Sequence, residues 1–425
     1  MNLHKKIKLT APAHISKLLK LIGSEADKLN YNAYCVGGFV RDILLGVKNY
    51  DIDIAVEQDG LKFAEILSGK LNGTLVVHKK FGTATIYISG GAKIDIATAR
   101  TEAYDEPAAL PTVKFSSIKE DLYRRDFTIN AMAVSLNRKN FGDLIDFFGG
   151  KNDLTAGKIR VLHGLSFVDD PTRIFRAVRF EQRYNFKIEP HTERLIKTAV
   201  SLDMIARTQK QRIRDEIILI LSEEDPLKAL IRMNRLHELR FIEPGMKLTK
   251  NTIRLFKAVR KARMRYTLLY KKKRPLHDWI IYFMAMLDGF TAGRVRAICE
   301  KFVFRKGDEK RLLSSAAKAD TIARLMDKKS AVSPSRIYKS LEPLSYETII
   351  FIMAKTRTLR ARKRMHLFFT KYNGTRLKIT GADLKKLNLA PGPRYKAIMD
   401  KVLYAKLDGK ARTKEEEINL AKRLI

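Results

Sequence analysis

Apolar positions between Ala13 and Leu29 recur at helical spacing (Ile15, Leu18, Leu19, Leu21, Ile22), which predicts an amphipathic helix. The pattern then changes to short β-like runs at Ala33 to Val36, Asp51 to Val56, Gly73 to His78, Thr83 to Ile88 and Lys93 to Ala97. Turn-forming residues separate them, and Ser89-Gly90-Gly91 reads as a hairpin turn between the last two. A helical pattern from Gly60 to Leu71 lies among the strands, so residues 1–150 read as a mixed α/β domain. From Phe167 onward the periodicity is helical: Thr172 to Tyr184, Pro190 to Leu202, Gln211 to Leu221 and Pro226 to Leu239, with no further strand pattern. Strands first and helices afterwards make an α+β chain, a mixed-sheet head followed by an all-α remainder. Breaks near Glu223 to Pro226, Lys271 to Pro275 and Gly374 mark internal boundaries, and there is no tandem repeat.

Composition narrows the class. A chain of 425 residues is too long for one core and should hold two to four domains. Lys and Arg number 83 against 46 acidic residues, a net charge of +37. Such a chain repels itself, and its natural counter-charge is a polyanion; nucleic acid is favoured over an anionic membrane. The strongest apolar run, Trp279 to Leu287, is far short of the roughly 20 residues a bilayer span needs. The basic N-terminus lacks the apolar stretch of a secretory signal. Cys35 and Cys299 are the only cysteines, without metal-ligand spacing, so a cytoplasmic protein with neither disulfide nor structural zinc is expected.

One stretch carries candidate chemistry. Gly37-Gly38 follows a strand pattern and opens a helical one, and paired glycines let backbone N–H groups close on an anion such as a triphosphate. Downstream, Asp51 and Asp53 alternate with isoleucine, so on a strand both carboxylates face one side. Adjacent carboxylates repel unless a cation lies between them, and hard oxygen donors suit Mg²⁺. Asp95 stands in another β-like run, and three carboxylates on neighbouring strands could hold two Mg²⁺ ions for nucleotidyl transfer. The plainer alternative is a half-exposed strand with solvated acids.

Val36-Gly37-Gly38-Phe39-Val40-Arg41-Asp42, followed by Asp51-Ile52-Asp53, resembles the signature of the class II tRNA nucleotidyltransferases (CCA-adding and A-adding enzymes) and bacterial poly(A) polymerases. A second motif stands at Arg124-Arg125-Asp126-Phe127-Thr128-Ile129-Asn130-Ala131, and a third runs from Asp146-Phe147-Phe148-Gly149-Gly150 to Ile159-Arg160. The fourth, Asp169-Asp170-Pro171-Thr172-Arg173 through Arg176, Arg179 and Phe180, resembles the nucleotide-selecting Glu-Asp-x-x-Arg motif, with Asp169 in place of Glu. Gln209 to Glu216 resembles the last neck motif, with Gln211 where the family has Glu, and Arg212 retained. The resemblance implies a polymerase-β-like head at 1–150, a nucleotide-selecting neck at 151–222, a body at 223–310 and a tRNA-binding tail at 311–425. It implies catalytic roles for Asp51, Asp53 and Asp95, with Asp51 and Asp53 on metal. Nucleotide would be bound by Gly37, Gly38, Arg41, Arg124, Asp126, Asn130, Asp170, Arg173, Arg176 and Arg179. Asp170 and Arg173, i and i+3 on one predicted helix, would read the base by hydrogen bonds, a protein serving as template. Thr98 to Pro111 resembles the family's flexible loop.

The expected reaction is template-independent addition of nucleotides to the tRNA 3′ end, with two Mg²⁺ ions as cofactors and ATP, and possibly CTP, as substrates. Full CCA addition, CC addition, A addition and poly(A) tailing all remain open, as does an RNA-binding protein with a decayed transferase head. No obligate protein partner and no membrane are expected. The basic clusters of the helical half (Lys257, Arg260, Lys261, Arg263 and Arg265; Lys271, Lys272, Lys273 and Arg274; Arg360, Arg362, Lys363 and Arg364) are candidates to track RNA phosphates.

Overall fold

The computed structural model describes residues 1–48, 51–79, 82–88, 91–103, 108, 112–270 and 275–425. Backbone contacts divide the chain into two units: Met1–Glu216 with Arg232–Phe241, and Ile217–Ile231 with Ile242–Ile425. Both Cys35 and Cys299 are buried free thiols. No described helix is long and apolar enough to cross a membrane.

The first unit is built on a seven-stranded sheet. Its strands are β1 (Ala33–Val36), β2 (Ile52–Val56), β3 (Thr74–His78), β4 (Thr83–Tyr87) and β5 (Lys93–Thr98), with β8 (Ala133–Ser135) and β9 (Leu144–Ile145), in the order β3-β4-β5-β2-β1-β8-β9. Only β2 and β5 run parallel; the other neighbours are antiparallel. Period-two alternation sorts the side chains. Ile52, Ile54 and Val56 of β2, with Ile94 and Ile96 of β5, are buried on one face, while Asp53, Ala55, Asp95 and Ala97 share the other. The Gly60–Leu71 helix buries Phe63, Ala64 and Leu67 and packs on β3, β4 and β5, with Asp59 capping its N-terminus through Lys62 N. On the acid-bearing side, Ile118 and Leu122 of the Ile118–Tyr123 helix join Tyr34, Val36, Ala55, Ala131 and Ala133 in a second cluster. A Ser117–Glu120 capping box starts that helix.

Two stretches depart from the reading of the pattern. Thr98 to Pro111, read as a loop, forms β6 (Arg100–Ala103), which pairs antiparallel with β7 (Thr112–Phe115); residues 104–107 and 109–111 lie outside the described residues. Beyond Phe167 the chain is not free of strand: β11 (Lys187–Ile188) pairs in parallel with β10 (Lys158–Ile159). Both corrections have one cause. Two- to four-residue strands are specified by their partners, and too few positions alternate to show in one segment.

Helices make up the second unit, among them Lys250–Leu269, Asp278–Met286, Lys306–Asp327, Tyr346–Lys355 and Leu359–Leu367. Near the C-terminus Ile379, Leu384, Leu389, Ile398, Val402 and Ala421 form a separate small core.

Candidate active site

Gly37 ends β1 with φ +64° and ψ −121°, a conformation L side chains avoid, and the Gly38–Leu45 helix starts behind it. A Cβ on Gly37 would lie 2.7 Å from Arg125 Nη1. The turn requires glycine for its backbone angles, and a side chain there would also push the Arg125 guanidinium aside.

A cleft of about 560 Å³ opens over this turn. Seven arginines (Arg41, Arg100, Arg124, Arg125, Arg173, Arg176 and Arg212) line it, against the four carboxylates Asp53, Glu102, Asp126 and Asp170. Such an excess of fixed, planar donors makes a site for a polyanion of phosphate chemistry. Individual bonds hold the guanidinium groups in place. Arg41 donates to Asn130 Oδ1 at 2.6 Å and to Asp42 Oδ1 at 2.8 Å, with its plane near the Phe180 and Tyr184 rings. Arg124 spans Asp121 and Glu102, and Arg125 Nη2 reaches Asp121 Oδ2 at 2.9 Å. Burial would raise the Asp121 carboxyl, but Arg125 and Arg124 outweigh it and hold it below the usual range.

Asp126 is buried and doubly bonded by Arg176, at 2.8 Å from Nε and 2.5 Å from Nη2, while its other oxygen accepts from Asn130 Nδ2 at 2.9 Å. Burial alone would push Asp126 up; Arg176 and Asn130 bring it down to about 2. Glu216, beside Arg176 and Arg179, is instead raised, because burial outweighs both arginines.

The Thr172–Arg183 helix presents Arg173, Arg176 and Phe180 to the cleft. Arg173 donates to Ser166 Oγ and to the Arg124 carbonyl, both at 2.7 Å. Asp170 is not on that helix, as the i, i+3 spacing predicts; it precedes it in extended backbone and accepts from Thr172 N and Oγ1. Proline at 171 disfavours helical backbone at 170, which explains the difference. The other Asp170 oxygen accepts from Arg212 at 2.7 Å. Arg179 lies outside the cleft lining, against Glu216 and the Phe180 ring.

The strand acids meet as follows. Asp53 and Asp95 are register partners across the parallel β2–β5 pair, so their carboxylates share a face, and both line a second hollow of about 260 Å³ with Thr83, Thr85, Asp121 and Arg125. Asp51 is exposed, one residue before β2. Burial raises the Asp53 carboxyl; Arg125 opposes the rise, and Asp95 and Asp51 add to it. Asp95 is bonded to Thr85 Oγ1 at 2.6 Å and Lys93 Nζ at 2.8 Å. Among the described residues no three His, Cys, Asp or Glu side chains close into a metal-holding group. The donor chemistry nonetheless suits a hard divalent cation, because the half-buried Asp53 carboxylate has two acid neighbours whose charge such a cation offsets.

Three charged lining residues escaped the sequence reading. Arg125 stands inside a quoted motif, and Arg100 and Glu102 show the period-two alternation of a strand in a stretch read as loop. Of the basic clusters, Lys271 to Arg274 lie outside the described residues. Arg364 is buried, its guanidinium bonded to the carbonyls of Met326, Lys328 and Ser330 where the Lys306–Asp327 helix ends, which removes it from any RNA surface. Arg360 and Lys363 are exposed, and Arg362 is half-buried.

Known proteins share this architecture. Residues 33–160 match the poly A polymerase head domain, and 185–249 a probable RNA and SrmB-binding site of polymerase A. An A-adding tRNA nucleotidyltransferase of Geobacter sulfurreducens is 44% identical over 96% of this chain, which spans only 47% of that protein. One from Halalkalibacterium halodurans is 33% identical, covering 96% of this chain and 92% of its own. The Thermotoga maritima CCA-adding enzyme complexed with tRNA aligns at TM-score 0.75 and 37% identity, covering 99% of this chain and 98% of its own.

Proposed function

The chain belongs to the tRNA nucleotidyltransferase and poly(A) polymerase family, and from that premise we propose that it adds nucleotides, adenylate foremost, to the 3′ end of tRNA without a nucleic-acid template. The observation that carries this is the meeting of two hollows at Asp53 and Arg125, one lined by arginines and the other flanked by Asp95. A transferase needs two substrates to reach one centre from two sides. Adenylate is preferred because the Geobacter and Halalkalibacterium relatives, each matched over 96% of this chain, are both A-adding.

In this reading the residues of the head (1–150) and neck (151–222) divide the work. Arg41, Arg124 and Arg176, with the amides of the Gly37–Gly38 turn, bind the triphosphate. Asn130 accepts from Arg41 and donates to Asp126, which holds Arg176, so one chain of hydrogen bonds fixes two guanidinium groups before substrate arrives. Asp170 and Arg173 read the base edge, and Arg212, now on Asp170, yields that oxygen to a base amino group. Asp51, Asp53 and Asp95 would hold Mg²⁺, which when bound supplies activation of the acceptor 3′-hydroxyl and charge stabilisation of the departing pyrophosphate. Lys93 and Thr85 keep Asp95 oriented beside Asp53. The body and tail bind the rest of the tRNA, and a cytoplasmic location follows from the substrates.

The test uses tRNAs ending at the discriminator base, at C and at CC, each given ATP or CTP alone, with products sized on a gel. One A on the CC-ending tRNA is expected, and Asp53→Asn should abolish it. Incorporation of C would make the protein a CCA- or CC-adding enzyme, and a long A ladder a poly(A) polymerase. If no tRNA is extended under any condition, the transferase reading fails.

A further inference from the structure

Among the described residues, Phe180 is the aromatic side chain that lines the arginine cleft, and it is only 5% exposed. Three guanidinium groups lie over its ring: Arg179 at 4.9 Å from the centroid, and Arg41 and Arg176 each at 5.4 Å. All three are within the roughly 6 Å at which the negative face of an aromatic ring attracts a cation. Tyr184 stacks on the ring at 6.0 Å, and Phe127 meets it edge-on at 5.9 Å. A ring enclosed in this way has no open face to offer a nucleobase. Its neighbours include two of the arginines assigned above to the triphosphate.

Helical spacing explains how one side chain reaches them. Arg176, Phe180 and Tyr184 follow at intervals of four along the Thr172–Arg183 helix and its C-terminal cap, so they share a face. Arg41 comes from the Gly38–Leu45 helix and lies over both rings, 4.9 Å from that of Tyr184. Hydrogen bonds also hold these arginines, Arg41 to Asn130 and Arg176 to Asp126. Such bonds are directional and weaken steeply on rotation. Attraction to a ring face is broader, so it keeps a cation in place while its donors exchange a protein acceptor for phosphate. Three crowded cations also repel one another, and the ring face is an attraction that all three share. An aliphatic side chain of similar bulk would fill the space without that attraction.

We propose that Phe180 is a positioning residue for the triphosphate: its aromatic face holds the Arg41 and Arg176 guanidinium groups where phosphate oxygens meet them. The proposal rests on the reading of the cleft as a nucleoside triphosphate site and adds a residue that itself touches no substrate.

The test places mono-, di- and trifluorinated phenylalanine at position 180. Fluorine drains the negative face of the ring and barely changes its size, so a role in packing alone would not respond. The dissociation constant for ATP should rise with each fluorine, to about tenfold in the trifluoro protein. KM for ATP should follow it with kcat little changed, because the lost contact acts on binding. Inorganic tripolyphosphate, which carries the charge without the nucleoside, should weaken by the same factor. Phe180→Leu should weaken both ligands at least as far as trifluorination does. Affinity that is flat across the fluorine series overturns the proposal and leaves Phe180 a packing residue. ATP weakened with tripolyphosphate unaffected also overturns it, because the ring would then serve the nucleoside. A parent protein that holds neither ligand removes this proposal together with the triphosphate site. One that follows the fluorine series and extends no tRNA removes the transferase reading and supports this one.

Discussion

Asp126 carries a heavy electrostatic load in the cleft, because it is buried yet must stay ionised to hold Arg176. Its carboxyl falls from 3.8 to about 2, a shift worth about 2 kcal/mol of folding stability. The sign follows from the direction. A depressed carboxyl contributes in full above its unfolded value and loses that contribution as pH falls toward about 2. Asp126→Asn should therefore lower the urea midpoint at neutral pH by the equivalent of about 2 kcal/mol. The gap to the parent protein should narrow as pH drops from about 4 toward 2. A gap that is constant with pH would mean that Asp126 does not carry the charge that positions Arg176. The residue types of this network were legible in the sequence, since Asp126 and Asn130 stand four apart in a quoted motif. Its wiring was not, because Arg176 and Glu216 come from helices 50 and 90 residues downstream. Arg364 shows the converse. In the sequence it is one of a run of cations, and only the fold reveals a helix end that its fork satisfies.

At the level of elements, the site depends on one parallel strand pair and one turn. Because β2 and β5 are in register at Asp53 and Asp95, a slip of one residue would put an isoleucine beside an acid and send one carboxylate into the core. That the acids face one way was readable from the Asp-Ile alternation in both runs, and neighbouring strands were expected, whereas the parallel register of Asp53 against Asp95 was not readable, since β3 and β4 intervene in the chain. The Gly37 turn fixes where Arg125 can stand relative to Asp53. Gly37→Ala imposes backbone strain of about 1–3 kcal/mol at its positive φ and displaces the Arg125 guanidinium. Nucleotide incorporation should fall more than tenfold, and thermal unfolding should begin several degrees lower. Loss of stability with unaltered turnover would detach the turn from catalysis and leave it a structural corner. The β6–β7 hairpin went unseen because each strand has only four residues, and the side chains that matter there, Arg100 and Glu102, are polar ones whose alternation has no apolar counterpart to reveal it.

On the scale of the whole molecule, the charge of +37 announces a polyanionic partner but does not say which cations serve it. The structure separates arginines gathered in a cleft of the first unit from cations paired with acids, such as Arg260 with Asp225 in the second. The division into two units gives this sorting a thermodynamic consequence. A ligand stabilises what it binds by RT ln(1 + [L]/Kd), about 2.7 kcal/mol at a hundredfold excess over Kd. ATP belongs to the cleft, so its stabilisation should be felt by the unit that contains β2, β5 and the Thr172–Arg183 helix. Amide exchange under native conditions resolves this, since it reports opening free energies segment by segment. With saturating ATP, exchange should slow in β2, in β5 and in the Thr172–Arg183 helix. The Asp278–Met286 and Tyr346–Lys355 helices, buried in the second unit, should change little. Equal protection of both units by ATP alone would show that they open as one cooperative body, and binding could then no longer be localised by its effect on stability.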